Sequence, residues 1–475
     1  MLHKNNIPLV SELMAADGDR TRDFVCTGGG WNLDYSRIPL SRDGLSALAA
    51  LPAEWALSTA VERLFAGQVV NPSENQPALH MALRSSEPFD GLDADSAAEV
   101  IDQRERFLAV AGRLHAGETG LTDLLHVGIG GSDLGPRLVA DALDTDDGAV
   151  RVHWLSTLDG RRFERLCRRL DPATTGLVIA SKSFSTEETL LQAQAARDWL
   201  GSDWAGRSWA ATANVDRARE FGLDDAHILP FPSWTGGRFS LWSSVGVSAA
   251  AVIGVERFRA LLAGAETADS DFRRQPDVNG LAVVFGLLVH YLRRELDCDT
   301  LGIVSYEPRL ALLADFMQQL FMESLGKGVN LDGKPIDEPT VPLIFGGRGT
   351  DLQHSIFQAL HQGLDTHPLI LVGAREADHD HPDWQRRQLA HLYAQASAFA
   401  NGRSDGEAHQ NMPGNRPVAT LLVDQLDAGH LGWLLATLEH AVYTLSVIWH
   451  INAFDQWGVE EGKRLAREIR RQLDS

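Results

Sequence analysis

Cysteine is scarce: Cys26, Cys167 and Cys298 are the only three in 475 residues. They are scattered without metal-ligand spacing and read as reduced thiols, so the cytoplasm is the expected compartment. No run approaches the ~18 uninterrupted apolar residues of a membrane span. The opening MLHKNNIPLV lacks the apolar core of a secretory leader. Positive charge is also short, with 43 Lys and Arg against 64 Asp and Glu and a net charge of −21. Nucleic acid and anionic membranes are repelled by such a surface, so neither is an expected partner. A small anion is still admissible, because a nest of amides, hydroxyls and one or two cations holds phosphate even on an acidic protein.

What is present describes a globular α/β chain. Apolar residues make up 44% and charged residues 23%, the balance of a soluble domain. The length predicts two or three domains. Residues 1–115 read as a mainly helical region, with apolar residues at three- and four-residue spacing in SALAALPAEWALSTAVERLFAG and AAEVIDQRERFLAVAGRLHAG. Between those segments, NPSENQPALHMALRSSEPFDG is polar and turn-rich and reads as irregular. From about residue 116 the pattern changes. LLHVGIGG, RVHWLS, GLVIAS, SWAATA and AHILPFP are short apolar runs, most of them separated by helical patterns. That alternation predicts a parallel sheet covered on both faces. A second set follows, LGIVSYEP, VPLIFGG, PLILVGA and VATLLVD, before a final helical segment. The expected division is 1–115, a first α/β domain over 116–270 and a second over 271–475.

The stretch GLVIASKSFSTEETLL passes from strand to helix through Ser181, Ser183, Ser185, Thr186 and Thr189 around Lys182. Ligands of open α/β sheets bind beyond the carboxyl ends of strands, where helix N-termini offer free N–H groups. These hydroxyls and the lysine therefore suit a phosphate. Serine and threonine also cap helices, and S-T-E-E is a good helix start, so both readings stand on this segment alone. It is not a P-loop, because Ser181 stands where the second glycine belongs. GIGGSDLG fails the dinucleotide pattern at Asp133. Its turn, with Gly131 and Ser132, still brings bare backbone and a hydroxyl close to something.

Four further segments hold polar groups in apolar surroundings. SWTGGRFSLWSSVG carries Arg238, FMQQLFMESLGKG carries Gln319 and Glu323 four apart on one helical face, GTDLQHSIFQ carries His354, and FDQWGVEEGK carries Gln456 and Lys463. Each alone reads as an ordinary salt bridge or helix end. EADHDHPDW, with His379 and His381, reads as a solvated loop and not as a metal site. Together, a phosphate cradle, a carboxylate, an arginine, a histidine and a lysine suit proton transfer beside a carbonyl, with no metal or organic cofactor required.

VGIGGSDLGP, SKSFSTEET, GGRFSLWSSVG, QQLFMESLGKG, GTDLQHSIFQ and FDQWGVEEGK occur in the order in which they stand in the phosphoglucose isomerase family, which the chain closely resembles from about residue 120 onward. The resemblance implies two sugar-isomerase α/β/α domains, a sugar phosphate as substrate and a homodimer whose active site is shared. It implies Glu323 as the base, His354 in ring opening and supplied by the neighbouring subunit, Lys463 beside it, and Arg238 near the enediolate. Ser181, Lys182, Ser183, Ser185 and Thr186 match its phosphate loop, and Gly131, Ser132, Gln319 and Gln456 match further substrate positions. Departures occur at Ser183, Ser185 and Leu325, and at Gly347, Arg348, Asp351 and Leu352 in FGGRGTDLQH. Glucose 6-phosphate and fructose 6-phosphate are the implied pair. A relaxed isomerase that also takes mannose 6-phosphate and a non-catalytic sugar-phosphate sensor are the alternatives.

Overall fold

A computed structural model of the chain describes residues 7–473. Its strands, in chain order, are β1 (Val25–Gly28), β2 (Trp31–Asp34), β3 (Asp123–Val127), β4 (Arg151–Leu155), β5 (Thr175–Ala180) and β6 (Ser208–Thr212). They continue with β7 (Ile228–Pro230), β8 (Thr300–Ser305), β9 (Leu343–Arg348), β10 (Leu369–Ala374) and β11 (Val418–Val423). Two sheets result, one ordered β4-β3-β5-β6-β7 and the other β1-β2-β11-β10-β8-β9. Every pairing in the first is parallel. In the second, β11, β10, β8 and β9 are parallel. All nine apolar runs singled out in the sequence are strands of these two sheets. β5, β10 and β11 are buried at every position, as continuous apolar runs must be when helices cover both faces.

The N-terminal region has helices at Arg42–Glu54, Leu57–Phe65 and Ala94–His115, and it also contributes two strands that the helical reading does not include. β1 and β2 form an antiparallel hairpin, and β2 pairs antiparallel with β11 to extend the second sheet. Its turn uses Gly29 and Gly30, both at positive φ (52° and 79°), the conformation that two-residue hairpin turns need. A side chain at Gly29 would enter the Trp433 indole, 2.1 Å from Cδ2.

The helix Ala428–Ile448 packs against the helices Val255–Arg274, Leu281–His290 and Leu313–Leu325. It is long and apolar enough to cross a membrane, with a mean hydropathy of 1.3, yet 94% of that apolar window is buried inside the protein. It carries Glu439 and His440 in mid-helix. Arg84, with no side-chain exposure, reaches Asp269 and Glu439 at 2.5 Å each. Trp242 Nε1 donates to Glu439 at 2.8 Å, and His440 pairs with Asp269 at 2.7 Å. This buried network ties the N-terminal segment, the helix Val255–Arg274 and the helix Ala428–Ile448 together.

Candidate active site

From β3 the chain runs to β4 on one side and returns to β5 on the other. The sheet therefore has its topological switch point between β3 and β5, where a ligand crevice is expected at the carboxyl ends. A cleft of about 980 Å³ opens there. Its walls include the turn after β3, with Gly131 and Ser132, and the turn after β5, with Ser181, Lys182, Ser183, Ser185 and Thr186.

The turn after β5 is shaped by Phe184, at φ 47°. A non-glycine residue there is strained. Here the ring is buried and packs edge-on against Phe221 with centroids 5.7 Å apart, which opposes the strain. Ser181 Oγ lies 3.3 Å from Thr186 Oγ1, and Ser185 Oγ donates to Ser183 Oγ at 2.7 Å. Thr186 is the N-cap of the helix Glu187–Leu200 without a side-chain capping bond, so first-turn amides stand beside the hydroxyls. Burial lowers the Lys182 pKa, Glu74 opposes that, and Arg238 adds to it.

The turn after β3 is fixed from beneath. His126 Nε2 lies 2.7 Å from the Ser132 carbonyl and Nδ1 lies 2.8 Å from Ser248 Oγ. A carbonyl only accepts, so Nε2 carries a proton; the Ser248 hydroxyl can donate or accept, and in the neutral ring it donates to Nδ1. Burial correspondingly pushes the His126 pKa down to about 4. A Cβ on Gly131 would stand 1.9 Å from the Gly237 carbonyl, so this turn touches the one that carries Arg238.

The helix Leu313–Leu325 puts Gln319 and Glu323 one turn apart on the cleft wall. Gln319 Nε2 donates to Glu323 Oε2 at 2.9 Å, and Arg238 Nη1 stands 3.3 Å from Glu323 Oε1. Arg238 is buried. It donates to Ser324 Oγ at 2.6 Å, Gln456 Oε1 at 3.0 Å, the Asp455 carbonyl at 3.2 Å and the Ala453 carbonyl. Burial lowers its pKa while Glu323, Asp455 and Glu74 oppose that. Arginine stays charged regardless, so a fixed cation lies beside the Glu323 carboxylate.

Residues 34–475 match the sequence model of the family described as Phosphoglucose isomerase. The chain belongs to that family. It is 44% identical over 463 residues to a glucose-6-phosphate isomerase of Stenotrophomonas maltophilia (strain R551-3), covering 96% of this chain and 90% of the relative. It is 42% identical over 462 residues to one of Xanthomonas axonopodis pv. citri (strain 306), covering 97% and 91%. Among solved structures, a glucose-6-phosphate isomerase from Chlamydia trachomatis superposes with a TM-score of 0.89 at 27% identity, over 99% of this chain and 94% of that one.

For this phosphoglucose isomerase family member, the cleft gathers the hydroxyl loop, Gln319, Glu323, Gln456 and Lys463, with Arg238 behind Glu323. Lys463 lies on the exposed helix Glu460–Leu473, where its Nζ donates to Glu460 at 2.7 Å. His354 is placed elsewhere. It ends the short helix Gly349–Gln353, is exposed, and does not line this chain's cleft. The EADHDHPDW stretch lies at the surface, where His381 stacks on Trp384 with centroids 4.5 Å apart.

Sequence reasoning missed one wall of the cleft. The irregular stretch supplies Asn71, Glu74 and His80. Asn71 Nδ2 donates to Glu74 Oε2 at 2.9 Å, and Ser73 Oγ donates to Asp455 Oδ2 at 2.6 Å. His80 stacks on Phe239 with centroids 4.6 Å apart. The available signal was a dense polar turn, NPSENQ, running straight into the apolar ALHMAL.

Proposed function

We propose that this chain interconverts glucose 6-phosphate and fructose 6-phosphate through a cis-enediolate. The observation that carries the reading is the Glu323–Arg238 pair, 3.3 Å apart, in the same cleft as the Ser181–Thr186 loop. The loop hydroxyls, the first-turn amides and Lys182 hold the phosphate dianion. The open-chain sugar then extends toward Glu323. Its carboxylate takes the proton from C2 of the aldose and returns it to C1, while O1 and O2 exchange a proton. Gln319 holds one carboxylate oxygen and so aims the other. Arg238 faces the negative charge that develops on the enediolate oxygen. One proton passes from C2 to C1 and another from O2 to O1 while the electrons redistribute within the sugar, so no redox partner enters the balance. A positioned base contributes ~10²–10⁴-fold, and a fixed cation at the developing charge adds a few kcal/mol.

His354 enters this reading through a homodimer. On its own chain it stands exposed outside the cleft, as a residue serving a neighbour's cleft would. Lys463, on the rim, shares the ring-opening task with it.

A coupled assay on fructose 6-phosphate tests the reading, with mannose 6-phosphate in parallel to measure strictness. Turnover on fructose 6-phosphate is expected. Glu323→Gln lowers kcat by at least ~10²-fold while sugar-phosphate binding persists. Near-normal turnover of that variant removes Glu323 from its role, and binding without turnover in the native protein leaves only a sensor.

A further inference from the structure

The segment that carries Glu323 ends on a second ionised group, Lys327, two residues beyond the helix Leu313–Leu325. Its side chain is only 12% exposed, and its ammonium serves one residue. Lys327 Nζ donates to Asp455 Oδ1 at 2.7 Å and also to the Asp455 carbonyl. The other carboxylate oxygen, Oδ2, accepts from Ser73 Oγ at 2.6 Å and from Asn452 Nδ2 at 2.8 Å. Neither Lys327 nor Asp455 lines the cleft, so any effect of this pair on the chemistry passes through another residue.

That residue is Arg238. Its Nη2 donates to the same Asp455 carbonyl at 3.2 Å, so two cations converge on one oxygen. Two carboxylates stand within their reach. Among the described residues, the ion pairs of these carboxylates are Arg238 with Glu323 at 3.3 Å and Lys327 with Asp455 at 2.7 Å. Lys182, Lys463 and Arg467 also line the cleft, but the ion pairs of Glu323 and Asp455 do not include them. A largely buried carboxylate left without its counter-charge is costly and draws a neighbouring cation, and Arg238 already touches Asp455. We propose that Lys327 is a positioning residue, whose ammonium neutralises the Asp455 carboxylate and so keeps the Arg238 guanidinium on Glu323 and on the charge that develops on the sugar. The inference rests on the isomerase reading above. Without the Lys327 charge, Arg238 turns from Glu323 to the Asp455 carboxylate, and Gln456, whose Oε1 accepts from Arg238 at 3.0 Å, loses that hold. The hydroxyl loop makes no part of this exchange, so substrate binding outlasts turnover.

The test removes the charge and then its partner. The kcat and KM for fructose 6-phosphate are measured for Lys327→Gln and Lys327→Met, each alone and combined with Asp455→Asn. Glutamine can still hydrogen-bond to Asp455 but carries no charge, and methionine does neither. Both single variants are expected to lower kcat at least ~10-fold with KM little changed, the pattern of an interaction made in the transition state. With Asp455→Asn no carboxylate competes for Arg238, and most of the lost kcat returns. Full kcat in Lys327→Gln, or a double variant no faster than its single parent, overturns the inference, because a clamp that works by hydrogen bonding alone gives those results. If Lys327→Met does not fold, the glutamine pair carries the same decision. A crystal structure of Lys327→Gln reads the geometry without turnover: Arg238 on the Asp455 carboxylate supports the inference, and Arg238 unmoved beside Glu323 overturns it. If the native protein does not isomerise fructose 6-phosphate, the functional reading fails alone, and that structure still decides the role of Lys327.

Discussion

At Arg84 one buried guanidinium faces two carboxylates, and burial pushes the Glu439 pKa up to about 7. The guanidinium spans Asp269 and Glu439 with no exposure of its own, and His80 Nε2 stands 3.8 Å from the same Glu439. Burial pushes the Asp269 pKa up, but Arg84 and His440 outweigh it and hold that carboxyl at about 2. Removing one member of a buried ion pair strands the other, at a cost of about 3–5 kcal/mol. Arg84→Met is therefore expected to lose that much in urea unfolding, and a loss under ~1 kcal/mol would show that the network relaxes. Lys182 is the opposite case, a cation that faces a cavity. Each charge-assisted hydrogen bond to a phosphate contributes ~1.5–3 kcal/mol. Lys182→Ala combined with Ser181→Ala should raise the KM for fructose 6-phosphate by at least tenfold with a smaller effect on kcat. An unchanged KM would mean that the phosphate is held elsewhere.

Two turns from different parts of the chain meet at Gly131, and the site depends on their contact. A methyl group there would press on the Gly237 carbonyl from 1.9 Å, and both sides of the contact are backbone. Gly131→Ala must push the turn after β3 away from the Arg238 turn. Overpacking costs about 1–3 kcal/mol, and kcat should fall more than tenfold as Arg238 moves off Glu323; thermal unfolding and steady-state kinetics read the two effects separately. Elements of this kind differ in how far the sequence announces them. Nine parallel strands were legible because a strand buried on both faces must be a continuous apolar run, as LILVGA and VATLLV are. The helical spacing of Gln319 and Glu323 and the strand-to-helix hydroxyl turn were legible for similarly local reasons. The β1–β2 hairpin was not. Its strands have four residues each, and the pairing that stabilises them is to β11, almost the full length of the chain away. Asn71, Glu74 and His80 were hidden by the same cause, since hydrogen bonds from Asn452 and Ser73 to distant partners place their turn.

At the scale of the whole molecule, the two sheets share an interior that holds histidines in the neutral state. His126 and His290 are both pushed down to about 4 by burial, with Arg294 adding to the effect on His290. The Trp449 indole donates to His290 Nδ1 at 2.9 Å, which requires that nitrogen to be unprotonated. A free histidine titrates near 6.5. Between about 6.5 and 4 the unfolded chain therefore binds protons that the folded chain refuses. Their contribution is complete above 6.5 and is lost as pH falls through that window, at about 3 kcal/mol for each ring. Asp269 acts lower down, with stability present above the ordinary carboxylate range and lost only as pH approaches about 2. Between pH 7 and pH 4.5 the two histidines contribute a weakening of up to roughly 2.7 kcal/mol per pH unit in urea unfolding, while Glu439 and Asp133, which burial pushes up to about 7 and about 6, act in the opposite direction. His126→Gln keeps a donor for the Ser132 carbonyl but cannot titrate, so its slope should drop by one proton. A variant as steep as the native protein would mean that His126 already carries a second proton in the fold, and the neutral ring beneath the turn after β3 would have to be abandoned.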